Sequence, residues 1–281
     1  MAVLERAREF LWTQARLLDK RIFQCRFEGG PAADVVAALR AYRNDDGGFG
    51  HALEADLRAP GSQPIHVEIA LQCLLEAGVH DAELTAGACA FLASVANEDG
   101  AVPPSLPGAA DYPCAAHWAM LEWALAPALN PTASIAAHLH ALGVTHPWLD
   151  RATEWSLGRI AEDSLPSAHT VRAALLLCEN RPALRERVLD QLAAADWFTT
   201  ETPVTRYALT PLHMAPTPES PARSYFADDL IERHLDDLIA RQQDDGGWPV
   251  LWEAPGPAAV CEWRGRWTLD ALLTLRAYGR I

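Results

Sequence analysis

Five side chains able to take part in acid–base or ion-binding chemistry fall within sixteen positions of this sequence: His51, Glu54, Asp56, Arg58 and His66. A carboxyl among them that is withdrawn from water holds its proton to higher pH and can act as a general acid. Glu54 and Asp56 are the candidates for that role. His51, Arg58 and His66 would then set its protonation or hold an anionic group of a substrate. The same stretch also reads as a solvated acidic loop in which Arg58 pairs with Glu54 or Asp56, an arrangement worth little at a surface.

A second group is Asp111-Tyr-Pro-Cys114-Ala-Ala-His117. Aspartate, cysteine and histidine are zinc-ligand types, but no further ligand can be assigned, so no metal is expected and Asp111 and His117 are read as substrate contacts. Residues 199–225 contain five prolines and offer Tyr207, His213 and Arg223. A fourth group comprises Trp252, Glu262 and Arg264, with Trp263 and Trp267 nearby. Aromatic faces there could stabilise a cation or stack on a sugar ring, and they could equally be core. Walker, GxSxG, GxGxxG and HExxH strings are absent, and no cofactor is implied.

These groups must be carried by helices. Leu4, Ala7, Leu11, Gln14 and Leu18 keep the three-and-four spacing of one helix face. Similar stretches span 32–43, 64–77, 81–96, 113–126, 131–142, 147–161, 167–178, 182–195, 226–241 and 264–278. Pro31, Pro131, Pro147 and Pro182 mark entries, and Gly78, Gly143 and Gly279 follow exits. Alternation of apolar and polar residues is confined to Val204–Leu209, so the chain is predicted to be all-α. The prolines of 199–225 forbid a long helix and predict an insertion that acts as a lid or cover.

Repetition predicts how the helices are organised. The segment RAYRNDDGGFG at 40–50 is echoed by ARQQDDGGWPV at 240–250, with weaker versions at 97–103, 141–148 and 193–198. Taking Gly47, Gly100, Gly143, Asp196 and Gly246 as markers gives steps of 53, 43, 53 and 50 residues. Such a unit holds two helices and cannot bury its apolar stripe alone, whereas five or six stacked hairpins can.

Gln242-Gln-Asp-Asp-Gly-Gly-Trp248 resembles the QW repeat of squalene-hopene cyclases and related terpenoid cyclases. Asp45-Asp-Gly-Gly-Phe-Gly50 resembles the corresponding turn of protein prenyltransferase β subunits. The resemblance implies an α/α toroid, here one domain over residues 1–281 with an insertion at 199–225, whose QW turns are packing staples and whose cavity opens at the rim where the candidate loops emerge. The cyclase Asp-x-Asp-Asp string is missing. Asp228-Asp229-Leu-Ile-Glu232 mimics a metal-binding DDxxE but falls on a helix ahead of a QW turn, and is read as an outer face. In the prenyltransferases Asp-x-Cys has one intervening residue, whereas Asp111 and Cys114 have two between them.

Composition sets the remaining bounds. The net charge of −14 disfavours nucleic acid and anionic membranes as partners. No apolar run approaches the roughly 20 residues of a membrane span. The start MAVLERAREFLW carries charges where a signal peptide is apolar, and six scattered cysteines suit a reducing compartment, so the expected location is the cytoplasm. The leading expectation is a terpenoid-cyclase-like enzyme using carboxyl acid–base chemistry on an apolar, isoprenoid-type small molecule. A carbohydrate-active α/α barrel and a non-catalytic binding toroid are the alternatives.

Overall fold

The computed structural model describes residues 2–281, and of Leu121 the main chain only. Its α-helices are α1 (Val3–Gln14), α2 (Leu17–Phe27), α3 (Ala32–Leu39), α4 (Pro64–Ala77), α5 (Ala82–Val95), α6 (Leu121–Ala124), α7 (Leu129–Ala141), α8 (Pro147–Glu162), α9 (Ala168–Leu177), α10 (Pro182–Asp190), α11 (Pro211–Met214), α12 (Asp228–Ala240) and α13 (Pro257–Ala277). Among the described residues no strand forms, and only isolated bridges such as Leu57–Cys114 and Phe198–Leu209 occur. The chain is all-α, as its periodicity predicts.

Two compact units are formed, residues 21–163 and residues 1–20 with 164–281. In the first, α4 packs against α3, α5 and α7, and α7 packs in turn against α8. Pro64 occupies the first turn of α4 and Gly78 ends it in the left-handed conformation at φ 65°, the asymmetry that proline and glycine favour. Nearly every face of α4 is covered: Ile65, Val67, Ala70, Leu71, Cys73, Leu74 and Ala77 are all buried. In the second unit α1 packs against α13, and α9 against α10 and α11. The helix α12 is strongly amphipathic, burying Ile231, His234 and Leu235. On its outer side Asp228 pairs with Arg223, Asp229 with Arg233 and Glu232 with Arg280. The DDxxE-like string is therefore an ion-paired surface.

The shared motif corresponds to a shared turn. At 44–48 the amide of Gly47 donates to Asn44 O and that of Asn44 to Gly48 O; at 97–101 Gly100 donates to Asn97 O and Asn97 to Ala101 O; at 243–247 Gly246 donates to Gln243 O and Gln243 to Gly247 O. The three glycines have φ of 86°, 89° and 90°, backbone that side chains with a Cβ rarely adopt. Close approach adds a second reason, because a Cβ on Gly246 would lie 2.1 Å from the Arg6 carbonyl oxygen. Gly143 belongs elsewhere: like Gly78 and Gly279 it closes a helix, its neighbour Val144 donating back to Leu139 O.

Several helical stretches differ from expectation: α13 starts at Pro257 ahead of the expected 264, while α3 stops at Leu39 and α10 at Asp190. The stripe from Leu4 to Leu18 breaks at Ala15, where the backbone extends to φ −77°, ψ 160°. Leu18 thus belongs to a different helix from Leu11. The stretch 113–126 forms only a 3-10 turn, Ala116–Ala119, and the short α6. Its start is drawn instead into main-chain pairing with 56–58, Arg58 donating to Pro113 O at 3.1 Å and Ala115 to Asp56 O at 2.9 Å.

Candidate functional site

In the 21–163 unit, the acidic loop is not a solvated connector. Glu54 is 7% exposed and Asp56 3% exposed. The loop is held from both ends. Asn44 donates to Ser62 Oγ and Pro60 O, its Oδ1 lies 2.9 Å from His51 Nε2, and Ser62 Oγ donates to Asp46 at 2.7 Å. His66, fully buried, places Nδ1 3.2 Å from Phe49 O and Nε2 3.1 Å from Leu57 O. Glu54 Oε1 accepts the Asp56 amide at 3.2 Å, and half-buried Arg58 donates to Ala55 O at 3.4 Å. The sequence thus folds two carboxyl-bearing residues inward. His51 stays at the surface.

The second group lies beside this loop. Leu57, Ala59, Ile65, Ala109, Ala115 and Trp118 form one buried apolar cluster, against which Cys114 packs. Asp111 is exposed. His117, exposed overall, rests its ring 5.1 Å from Trp118 and 6.1 Å from Trp123, and this partial desolvation lowers its pKa.

In the other unit the aromatic residues come together. The Trp252 ring, in the loop before α13, lies 5.0 Å from Tyr207, 5.1 Å from Trp263 and 5.9 Å from Trp267, each in an edge-on arrangement. That geometry is preferred by aromatic quadrupoles. All four rings are only half-buried. Trp263 and Trp267, four residues apart, share a face of α13, and Tyr207 reaches the cluster from the proline-rich segment. The Tyr207 hydroxyl lies 2.9 Å from His169 Nε2 on α9, the two rings nearly parallel at 15°.

His213 on α11 meets the edge of Trp267 at 5.5 Å. Its Nδ1 accepts the Thr210 amide at 2.9 Å, so in the neutral ring the proton sits on Nε2. Burial, reinforced by the positive charges of Arg172 and Arg241, pushes its pKa down to about 3.

Arg264 and Glu262 stand differently. The Arg264 guanidinium lies over the Phe10 ring at 4.6 Å and donates to Gln243 and Asp245 at 2.6 and 2.7 Å. It clasps the DDGGW turn and holds the Asp245 carboxyl below its ordinary pKa. Glu262 is half-buried next to Trp263. Sequence reasoning named Tyr207, Trp252, Trp263, Trp267 and His213 but missed His169. The available signal was a histidine in the first turn of the largely apolar α9.

Compared with known proteins, the chain matches no family model, and no curated protein matches it.

Proposed function

We propose that this chain is a small terpenoid-cyclase-like protein that takes an apolar, isoprenoid-sized molecule against the aromatic face formed by Trp252, Trp263, Trp267 and Tyr207. The observation that carries the reading is that these four large rings contact one another and yet are not fully buried. A helical core needs its indoles covered, and a contiguous apolar surface left accessible is a feature of binding sites. The triplicated glycine turn, two copies of which resemble the cyclase and prenyltransferase motifs, supports the toroid as its architecture. Glu54 and Asp56, 7% and 3% exposed within the 21–163 unit, stay the candidates for a general acid there.

Native mass spectrometry of the purified protein tests the binding claim. The expected result is an apolar adduct of isoprenoid mass that is lost in Trp252→Ala. An adduct-free protein that also ignores added farnesol, or an adduct retained in full by Trp252→Ala, contradicts it. The acid role is tested separately by Glu54→Gln and Asp56→Asn. One of these should retain binding while lowering turnover by about 10²–10⁴.

A further inference from the structure

The proline-rich segment is held to its unit largely by titratable side chains. Over residues 199–208 only Val204 is buried, so little apolar area keeps this stretch down and lifting it costs little. Its main chain pairs with its own ends, Thr199 donating to Leu209 O at 2.9 Å and Leu209 to Trp197 O at 2.7 Å. The ties to neighbouring helices are polar. His234 on α12 hydrogen-bonds the Thr200 main chain, Asp237 Oδ1 accepts the Val204 amide at 3.3 Å, and His169 on α9 holds the Tyr207 hydroxyl at 2.9 Å. Tyr207 in turn meets the Trp252 ring at 5.0 Å.

Two of these histidines hold the segment only as neutral rings. At its base His213 Nδ1 accepts the Thr210 amide at 2.9 Å and lies as close to Thr210 Oγ1, and a proton on Nδ1 removes that acceptor. His234 is 1% exposed, and its Nε2 has no hydrogen-bond partner among the described residues. A second N–H on that ring would be buried and unmet. Burial lowers the pKa of both, that of His213 to about 3. The charges around them mostly act the same way: Arg172 and His169 of α9, with Arg241 and His234, oppose a cation at His213, and Arg241 and Arg233 oppose one at His234. Asp237 favours the His234 cation, but its carboxylate is shared with Arg241 at 3.0 Å. Trp197, just ahead of the segment and 59% exposed, adopts φ 64°, a strained conformation for a tryptophan that lifting the segment lets relax.

We propose that residues 199–210 form a strap latched by His213 and His234, which protonation of these histidines opens, drawing Tyr207 off Trp252. Lifted into water, the rings take up protons near the ordinary histidine value of about 6.5. The open state therefore binds protons first, so the strap is closed above that pH and opens progressively below it. His213 alone, titrating at about 3 when latched, shifts the opening equilibrium about thirtyfold at pH 5. That opening admits or releases a ligand only on the reading of the aromatic face as a ligand surface; the latch itself stands apart from it.

Hydrogen–deuterium exchange of the full chain, read by mass spectrometry at about pH 7.5 and about pH 5 with labelling times scaled for intrinsic exchange, tests the latch. Peptides over 199–210 should lose protection about tenfold or more at the lower pH, while those from α12 and α13 keep theirs. His213→Asn sets a side-chain oxygen near the place of Nδ1 and cannot titrate. It should match the wild type at the higher pH and lose most of the opening at the lower. Equal protection of 199–210 at both pH values, opening only together with α12 and α13, or an undiminished response in His213→Asn would overturn the proposal. The wild-type pattern decides the matter even if His213→Asn does not fold. No ligand enters the experiment, so failure of the aromatic face as a ligand surface is read separately, by farnesol binding.

Discussion

Trp248 Nε1 donates to the carbonyl of Leu238 at 2.7 Å, tying the DDGGW turn back to the helix it follows. The indole is 2% exposed, and Gln242 completes the clasp by donating to Gly246 O and Val3 O, both at 2.9 Å. Trp248→Ala should therefore cost about 3–5 kcal/mol, the range for aromatic truncation in a core. Urea unfolding measures it, and a loss below about 1 kcal/mol would show that the turn is not a packing staple.

His66 makes the corresponding clasp in the 21–163 unit. His66→Phe keeps a ring in place and strips the Leu57 carbonyl of its imidazole partner, while Phe49 O keeps the Gln63 amide at 2.9 Å. One buried acceptor left without its donor costs about 1–3 kcal/mol. An unchanged urea midpoint would mean that the loop closes without the histidine.

The pH dependence of stability follows from His213. Its pKa is about 3 in the folded chain, where burial disfavours the cation, and close to 6.5 when unfolded. The unfolded state therefore binds the extra proton first. Stability from this residue is present in full above about pH 6.5 and is lost progressively as pH falls from there towards 3. His213→Gln should flatten the thermal midpoint against pH in that window. An identical slope in variant and wild type would place the acid sensitivity elsewhere.

Thiol reactivity should divide by burial. Desolvation pushes Cys89 and Cys178 up to about 11, so at pH 8 both are protonated as well as covered. Cys261 is exposed, and it should react first with a disulfide reagent. Prompt modification of Cys89 or Cys178 in the native protein would contradict the packing around α5 and α9.

How much of this was legible in the residues depends on the range of the interaction. Three-and-four spacing and the proline and glycine boundaries announce α4, α8 and α12, because helical hydrogen bonds are local. The DDGG turns announce themselves for the same reason. Pairing of 56–58 with 113–115 spans half a unit, and nothing in the string Asp111–Trp118 reveals that it forgoes a helix to make it. Arg264 was legible as a neighbour of tryptophans, yet only the fold shows it turned away towards Asp245. His169 was hidden because α9 largely reads as core, and its partner Tyr207 lies 38 residues further on.

The central claim is that the partly exposed rings around Trp252 bind an apolar ligand. Calorimetric titration of the intact chain with farnesol, wild type against Trp252→Ala, tests it most directly. The account predicts saturable one-site binding to the wild type that weakens about tenfold or more in the variant, since a large aromatic contact at the centre of a site carries roughly 1.5–3 kcal/mol. No saturable heat with the wild type, or equal affinity in the two proteins, would contradict it.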